Sequence, residues 1–227
     1  MKATLDDSFD AAAVRHVHNA GLSGGIRPMI NADGSLLDRT VNLTMVSLLA
    51  NTDVPAMLTP FADRIRSVTG LGVFSESQLH ITVCPIQAYA SVPPQDDPRI
   101  DAAFAAIVRR LPSLGESIPI SLTRVVVAPT AVRAIGAASP SLVAFRRSLL
   151  ADLKEEGFDP PYCNINIVHV NIARYSQAAP LPRLVEVTEA WPPIRVVTAL
   201  REVIVELSDM NQVDHSMLRS WYLPVAP

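Results

Sequence analysis

The first clear periodicity begins at Val41. In VNLTMVSLL, Val41, Leu43 and Met45 fall on one side and Asn42 and Thr44 on the other, the period of a half-buried strand. Residues 1–40 are turn-rich and lack a sustained period, so they read as an N-terminal extension with one short helix near 8–18. Thr52 or Asp53 then caps a predicted helix with Pro55 in its first turn, running to about Val68 and ended by Gly70 and Gly72. Ser77 to Cys84, SQLHITVC, predicts a second strand. Asp97 or Pro98 starts a helix to about Leu111, and strands are expected over 117–128 and 131–136 with a hairpin at Pro129-Thr130. Ser139 caps the next helix with Pro140 at its first position; leucines 142, 149 and 153 form its apolar stripe, and Gly157 ends it. Asn164 to Tyr175, NINIVHVNIARY, predicts a strand, and 181–190 a short helix. The run IRVVTALREVIVEL reads as a long β segment that bends, followed by a last strand over 216–225. Helices and strands mix without a strict βαβ rhythm, which predicts an α+β fold with antiparallel sheets, residues 41–227 forming a single domain.

Composition narrows the class. Hydrophobic residues make up 49% of the 227 and charged residues 18%, enough apolar material for a real core. Aromatics are sparse, so that core is expected to be Val, Leu, Ile and Ala. The formal net charge of −3 does not suit a protein that grips long duplex nucleic acid, so any nucleic-acid substrate should be a short piece or a single nucleotide. Two cysteines, Cys84 and Cys163, cannot make a disulfide framework or a four-thiolate zinc site. No apolar run is long enough to span a membrane, and the early acids Asp6, Asp7 and Asp10 do not read as a signal peptide; a soluble cytoplasmic protein is expected. His16 and His18 lack obvious co-ligands nearby and read as solvated, so no metal and no cofactor is expected.

The candidate chemistry lies in two similar segments, Leu79-His80-Ile81-Thr82-Val83 and Val168-His169-Val170-Asn171-Ile172. Each reads apolar, His, apolar, small polar, apolar. On a strand, His80 and Thr82 share a face, as do His169 and Asn171. If the two strands lie together, two imidazoles can divide acid–base labour near neutral pH, while Thr82 and Asn171 donate hydrogen bonds to phosphate oxygens. The pattern alone is equally compatible with two histidines on unrelated strands.

Over about residues 41–225 the chain resembles the 2H phosphoesterase superfamily, which includes bacterial 2′-5′ RNA ligase-like proteins and RNA 2′,3′-cyclic phosphodiesterases. The resemblance rests on VNLTMVSL, SESQLHITV, VRAIG, the SPSLVAFRRSLLADLKEEGF helix, HVNIARY, LREVIVELSD and WYLPV. It implies two pseudo-symmetric lobes, each an antiparallel sheet flanked by helices, with a central cleft. It implies His80 and His169 as the catalytic pair and Thr82 as a phosphate-binding hydroxyl. Asn171 takes the matching position in the second motif but departs from the family's hydroxyl, whereas Ala173-Arg174 matches. The implied activity is metal-independent phosphodiester chemistry on a small nucleotide or RNA end, a 2′,3′-cyclic phosphate or a 2′-5′ linkage. The Asn171 departure keeps open a nucleotide-binding module without turnover and an enzyme repurposed to a non-phosphodiester substrate.

Other residues carry weaker readings. Cys84, two after Thr82, would face the same way but reads first as a buried thiol. Tyr175 and Tyr222 read as packing at a lobe edge, with base stacking as the alternative. Arg124, Arg174, Arg195 and Arg201 are placed on strands, as surface charges or phosphate neutralisers. His215 lies in a predicted polar turn, and Asn42 and Thr44 are placed on the face opposite the core, available to floor a cleft.

Overall fold

A computed structural model describes residues 28–31, 37, 40–69, 71, 73–91, 93, 97–176, 181–191, 193–209 and 215–224. The predicted helix at 8–18, His16, His18, Gly70 and Gly72 lie outside these residues.

The strands are β1 (Val41–Leu48), β2 (His80–Tyr89), β3 (Ile118–Leu122), β4 (Arg124–Val127), β5 (Ala131–Ala137), β6 (Ile167–Arg174), β7 (Val196–Leu200), β8 (Glu202–Ser208) and β9 (His215–Tyr222). The helices are α1 (Val54–Thr69), α2 (Pro98–Arg110), α3 (Pro140–Glu155) and α4 (Leu181–Glu189). The expected helix signals act as read. Asp97 and Ser139 accept from the Arg99 and Leu142 amides, each ahead of a proline at the first helical position, and Gly157 leaves α3 with φ 84°. At α1 the Thr52 hydroxyl accepts from the Val54 amide.

All pairings between these strands are antiparallel. One sheet has the order β2-β1-β8-β9. Two smaller sheets, β4-β5-β6 and β3-β7, are joined by the isolated bridge Ile120–Ala138 and by contact of β3 with β5, and together make up the second, interrupted layer. The single strand predicted over 117–128 is broken at Thr123, whose amide donates to the Ile135 carbonyl. Ahead of the break β3 stays in contact with β5. The Ser121 carbonyl then lies 1.7 Å from where a Cβ at position 136 would sit, so only glycine admits this approach. The long run predicted over 194–207 does bend, at Arg201, and the bend changes sheets: β7 belongs to the second, β8 to the first. His215, expected in a turn, is the first residue of β9.

The helices exchange sides. α1, which follows a strand of the first sheet, packs with α4 against β6, β7 and β4 of the second. α3, which follows β5 of the second sheet, packs against β2 of the first. α2 joins α3 through a two-pronged ion pair, Arg110 Nε and Nη2 each 2.7 Å from an Asp152 oxygen, and meets β9 through Phe104 against Trp221. One apolar core of mostly aliphatic side chains runs through both sheets and all four helices. Residues 28–30 of the extension dock beside the end of β6, where the Met29 and Ile30 amides share the Tyr175 carbonyl.

Candidate active site

β2 and β6, the two motif strands, are each at one edge of their sheet and lie in contact with one another. Their registers are alike. His80 is opposite Leu48 and Thr82 opposite Val46; then one residue, Val83, is skipped and Cys84 is opposite Met45. His169 is opposite Ile135 and Asn171 opposite Arg133; then Ile172 is skipped and Ala173 is opposite Val132. Each motif is thus followed, at the same offset, by a β-bulge. A bulge adds one residue to one strand and reverses the facing of everything beyond it.

Both bulges rearrange the polar face. Cross-strand partners share a face, so His80, Thr82, Val46 and Leu48 lie together, as do His169, Asn171, Arg133 and Ile135. Strict alternation would have put Cys84 with His80 and Arg174 against the core. The bulge moves Cys84 to the Met45 side, where it is fully buried and burial pushes its thiol pKa up. This agrees with a buried thiol and corrects the possibility of a cysteine lining the site. In β6 the bulge turns Arg174 onto the face of His169, opposite Ala131.

Protein groups pin the bulged backbone. Arg146 of α3 is 2% exposed and bonds four carbonyls: its Nε donates to Val83 (2.7 Å), Nη2 to Thr82 (2.7 Å), and Nη1 to Ile165 (3.0 Å) and Ile167 (2.7 Å). Burying a guanidinium costs several kcal/mol. Four charge-assisted hydrogen bonds, each worth about 1.5–3 kcal/mol, offset it. Two of those carbonyls belong to β2 and two to the start of β6, so one side chain ties the motif strands together. On the other edge of β6, the Phe74 amide donates to the carbonyl of the bulge residue Ile172 (2.9 Å).

His80 is half-buried, with Nδ1 2.9 Å from the Gln78 carbonyl. A carbonyl only accepts, so Nδ1 carries the proton. His169 is also half-buried, and neither ring nitrogen bonds a described residue. Its pKa lies well below 6.5, through burial first and then the charges of Arg133, His80, Arg146 and Arg174. The two histidines are therefore close enough for charge on one to disfavour charge on the other.

Asn171 is buried beside Arg133, whose Nε donates to Oδ1 at 2.9 Å; Arg133 Nη2 donates to the Thr130 hydroxyl at 2.9 Å. Arg174 Nη1 reaches the same hydroxyl at 3.4 Å, and burial together with Arg133 lowers the Arg174 pKa to about 10. Arg133 is the residue that sequence reasoning missed. It sits in VRAIG, where an Arg between apolar residues of a predicted strand was a signal that the position faces away from the core.

The remaining candidates are placed as follows. Tyr175 is buried, its hydroxyl donating to the Ala131 carbonyl at 2.8 Å, which fits packing. Tyr222 is 69% exposed, with Glu202 of β8 as its cross-strand partner. Arg124 is exposed on β4, on the face of Ile135 and His169. Arg195 and Arg201 are exposed and flank β7 instead of lying in it. Asn42 and Thr44 share the face of Val46, farther along β1, opposite Ser208 and Glu206. Among the described residues no three His, Cys, Asp or Glu side chains are placed to hold a metal, and no helix is long and apolar enough to cross a membrane.

No family model matches the chain, and no curated protein matches its sequence. Solved structures do match its backbone. Escherichia coli LigT complexed with 3′-AMP superposes with a TM-score of 0.52 at 15% identity, covering 83% of this chain and 100% of that one. The protein TT0787 of Thermus thermophilus gives 0.53 at 18% identity, over 80% and 97%. A crystal structure described as a phosphoesterase gives 0.50 at 13% identity, over 80% and 98%. In its backbone the chain is similar to LigT along nearly the whole of that protein, and so it has the α+β fold that its two motif strands lead one to expect of a 2H phosphoesterase.

Proposed function

We propose that this protein is a metal-independent phosphodiesterase acting on a small nucleotide or an RNA end, with a 2′,3′-cyclic phosphate or a 2′-5′ linkage as the scissile group. The observation that carries the reading is the pair of matched strands. Two imidazoles, each followed two residues on by a hydrogen-bonding side chain and then by a bulge, stand at matching positions on two strands that are in contact. The fold shared with LigT, a protein seen with 3′-AMP bound, agrees with a nucleotide-sized ligand.

In hydrolysis of a cyclic phosphate, one histidine removes a proton from water as the water oxygen bonds to phosphorus. The phosphorus–oxygen bond to the sugar breaks on the opposite side, and the other histidine protonates the departing oxygen. Thr82 Oγ1 and Asn171 Nδ2 donate to the non-bridging oxygens, where charge builds up.

The test is hydrolysis of 2′,3′-cyclic nucleotides and 2′-5′ dinucleotides in the presence of chelator. His80→Ala and His169→Ala are each expected to lower kcat by about 10²–10⁴-fold, the usual size of an acid–base contribution. Wild-type rates in either variant, on a substrate the protein turns over, would remove the histidines from the chemistry. A second reading, binding without turnover, is favoured by Asn171 standing where a hydroxyl is expected. Saturable nucleotide binding with no product over hours would select it.

A further inference from the structure

The two halves of the site have the same backbone and different chemistry. Thr82 has Val46 as its cross-strand partner; Asn171, at the equivalent position, has Arg133. One half therefore presents a hydroxyl against an apolar wall, and the other an amide against a guanidinium. A guanidinium only donates, so the Asn171 atom facing Arg133 Nε is Oδ1, and Nδ2 is turned away from it. Nδ2 makes no hydrogen bond to a described residue. Arg133 uses Nε and one Nη2 hydrogen on Asn171 and Thr130, two of its five N–H groups, and no described residue accepts from Nη1. Among the described residues no carboxylate forms an ion pair with it.

We propose that Arg133 is a phosphate-binding residue, and that with the Asn171 amide it forms the anion-holding half of the site, donating from Nη1 to non-bridging phosphate oxygens. The ligand class is a phosphoryl group able to carry two negative charges: a phosphomonoester, inorganic phosphate, or the pentacoordinate intermediate of diester cleavage. This deepens the phosphodiesterase reading and rests on its placement of the site. It also gives the Asn171 departure a physical sense. A threonine hydroxyl at 171 could accept from Arg133 or donate to phosphate through its single hydrogen. The longer amide keeps separate atoms for the two tasks, Oδ1 to hold the guanidinium and Nδ2 to meet the anion.

Calorimetric titration of the full chain with inorganic phosphate tests this. Wild type is expected to bind more tightly as pH rises from 6 to 8 and the phosphate dianion replaces the monoanion. Arg133→Met should weaken binding at least tenfold. Arg133→Lys keeps the charge without the forked geometry and should weaken it at least threefold; it carries the test if the Met variant does not fold, as judged by thermal melting. Arg124→Met, removing an exposed cation from the same face, should change affinity less than twofold. Phosphate binding within twofold of wild type in a folded Arg133→Met overturns the proposal, as does an equal loss in Arg124→Met, which would mark a diffuse field. So does failure of the wild type to bind phosphate. The two readings fail separately. Arg133-dependent phosphate binding without any diester turnover sinks the activity and leaves the anion site. Diester turnover with kcat and KM untouched by Arg133→Met does the reverse.

Discussion

At the residue scale, the charge state of His169 decides what chemistry the site can run. Burial and the cations around it, Arg133 from β5, His80 from β2, Arg146 from α3 and Arg174 from β6, all disfavour its protonated form. At pH 7 it is therefore a neutral imidazole, able to take a proton. Following the His169 ring protons by NMR, we expect Arg133→Met to move its midpoint upward towards 6.5; an unmoved midpoint would remove Arg133 from the causes and leave burial and the remaining charges. Linkage fixes the sign for stability. The unfolded chain protonates this histidine near pH 6.5 and the folded chain only at markedly lower pH, so in between the unfolded state binds more protons. His169 therefore makes the fold lose stability as pH drops through 6.5, with the loss levelling off below the folded pKa. His169→Gln should flatten this part of a denaturant-midpoint profile against pH.

At the scale of elements, the bulges re-aim the side chains that follow each motif on its strand. Their trace is present in the sequence. After Thr82 come two apolar residues, Val83 and Cys84, and after Asn171 come Ile172 and Ala173, so alternation fails at the same step in each motif. Read with strict period two, these segments put Cys84 in the site and Arg174 in the core; with the extra residue they do the opposite. Pro85 fits the same picture, since an edge strand tolerates a residue that cannot donate. Arg146 holds both strands at this point. Arg146→Met would leave the Thr82, Val83, Ile165 and Ile167 carbonyls without their donor. At about 1–3 kcal/mol for a buried unsatisfied group, part of it recovered by relaxation, the expected loss is about 3–5 kcal/mol in urea unfolding. A loss below about 1 kcal/mol would show that the strands hold their places without it. Nothing in FRRSLL marks Arg146 as buried, because an arginine at that helical spacing equally suits a solvated face.

At the scale of the whole molecule, the two sheets are interlocked. α1 and α3 each cover the sheet opposite the one their preceding strand belongs to, and the chain changes sheets again at Arg201 between β7 and β8. With one core running through both, neither sheet has a separate set of helices to fold with. We expect a single cooperative unfolding transition, with tryptophan fluorescence and far-ultraviolet circular dichroism coinciding; two resolved transitions would mean the halves are independent. Local sequence carried the α+β class, the helix caps at Asp97 and Ser139, the hairpin at Pro129-Thr130 and the two motif strands. These depend on contacts within a few residues, on backbone preferences and on the period of apolar side chains. Pairings between distant segments decided the rest: the partner of Asn171 on β5, the facing of Arg174, the break at Thr123 and the sheet switch at Arg201. Alternation tells which residues share a face of one strand. It cannot tell which residue of another strand will stand beside them, because that register is set by the packing of the whole core.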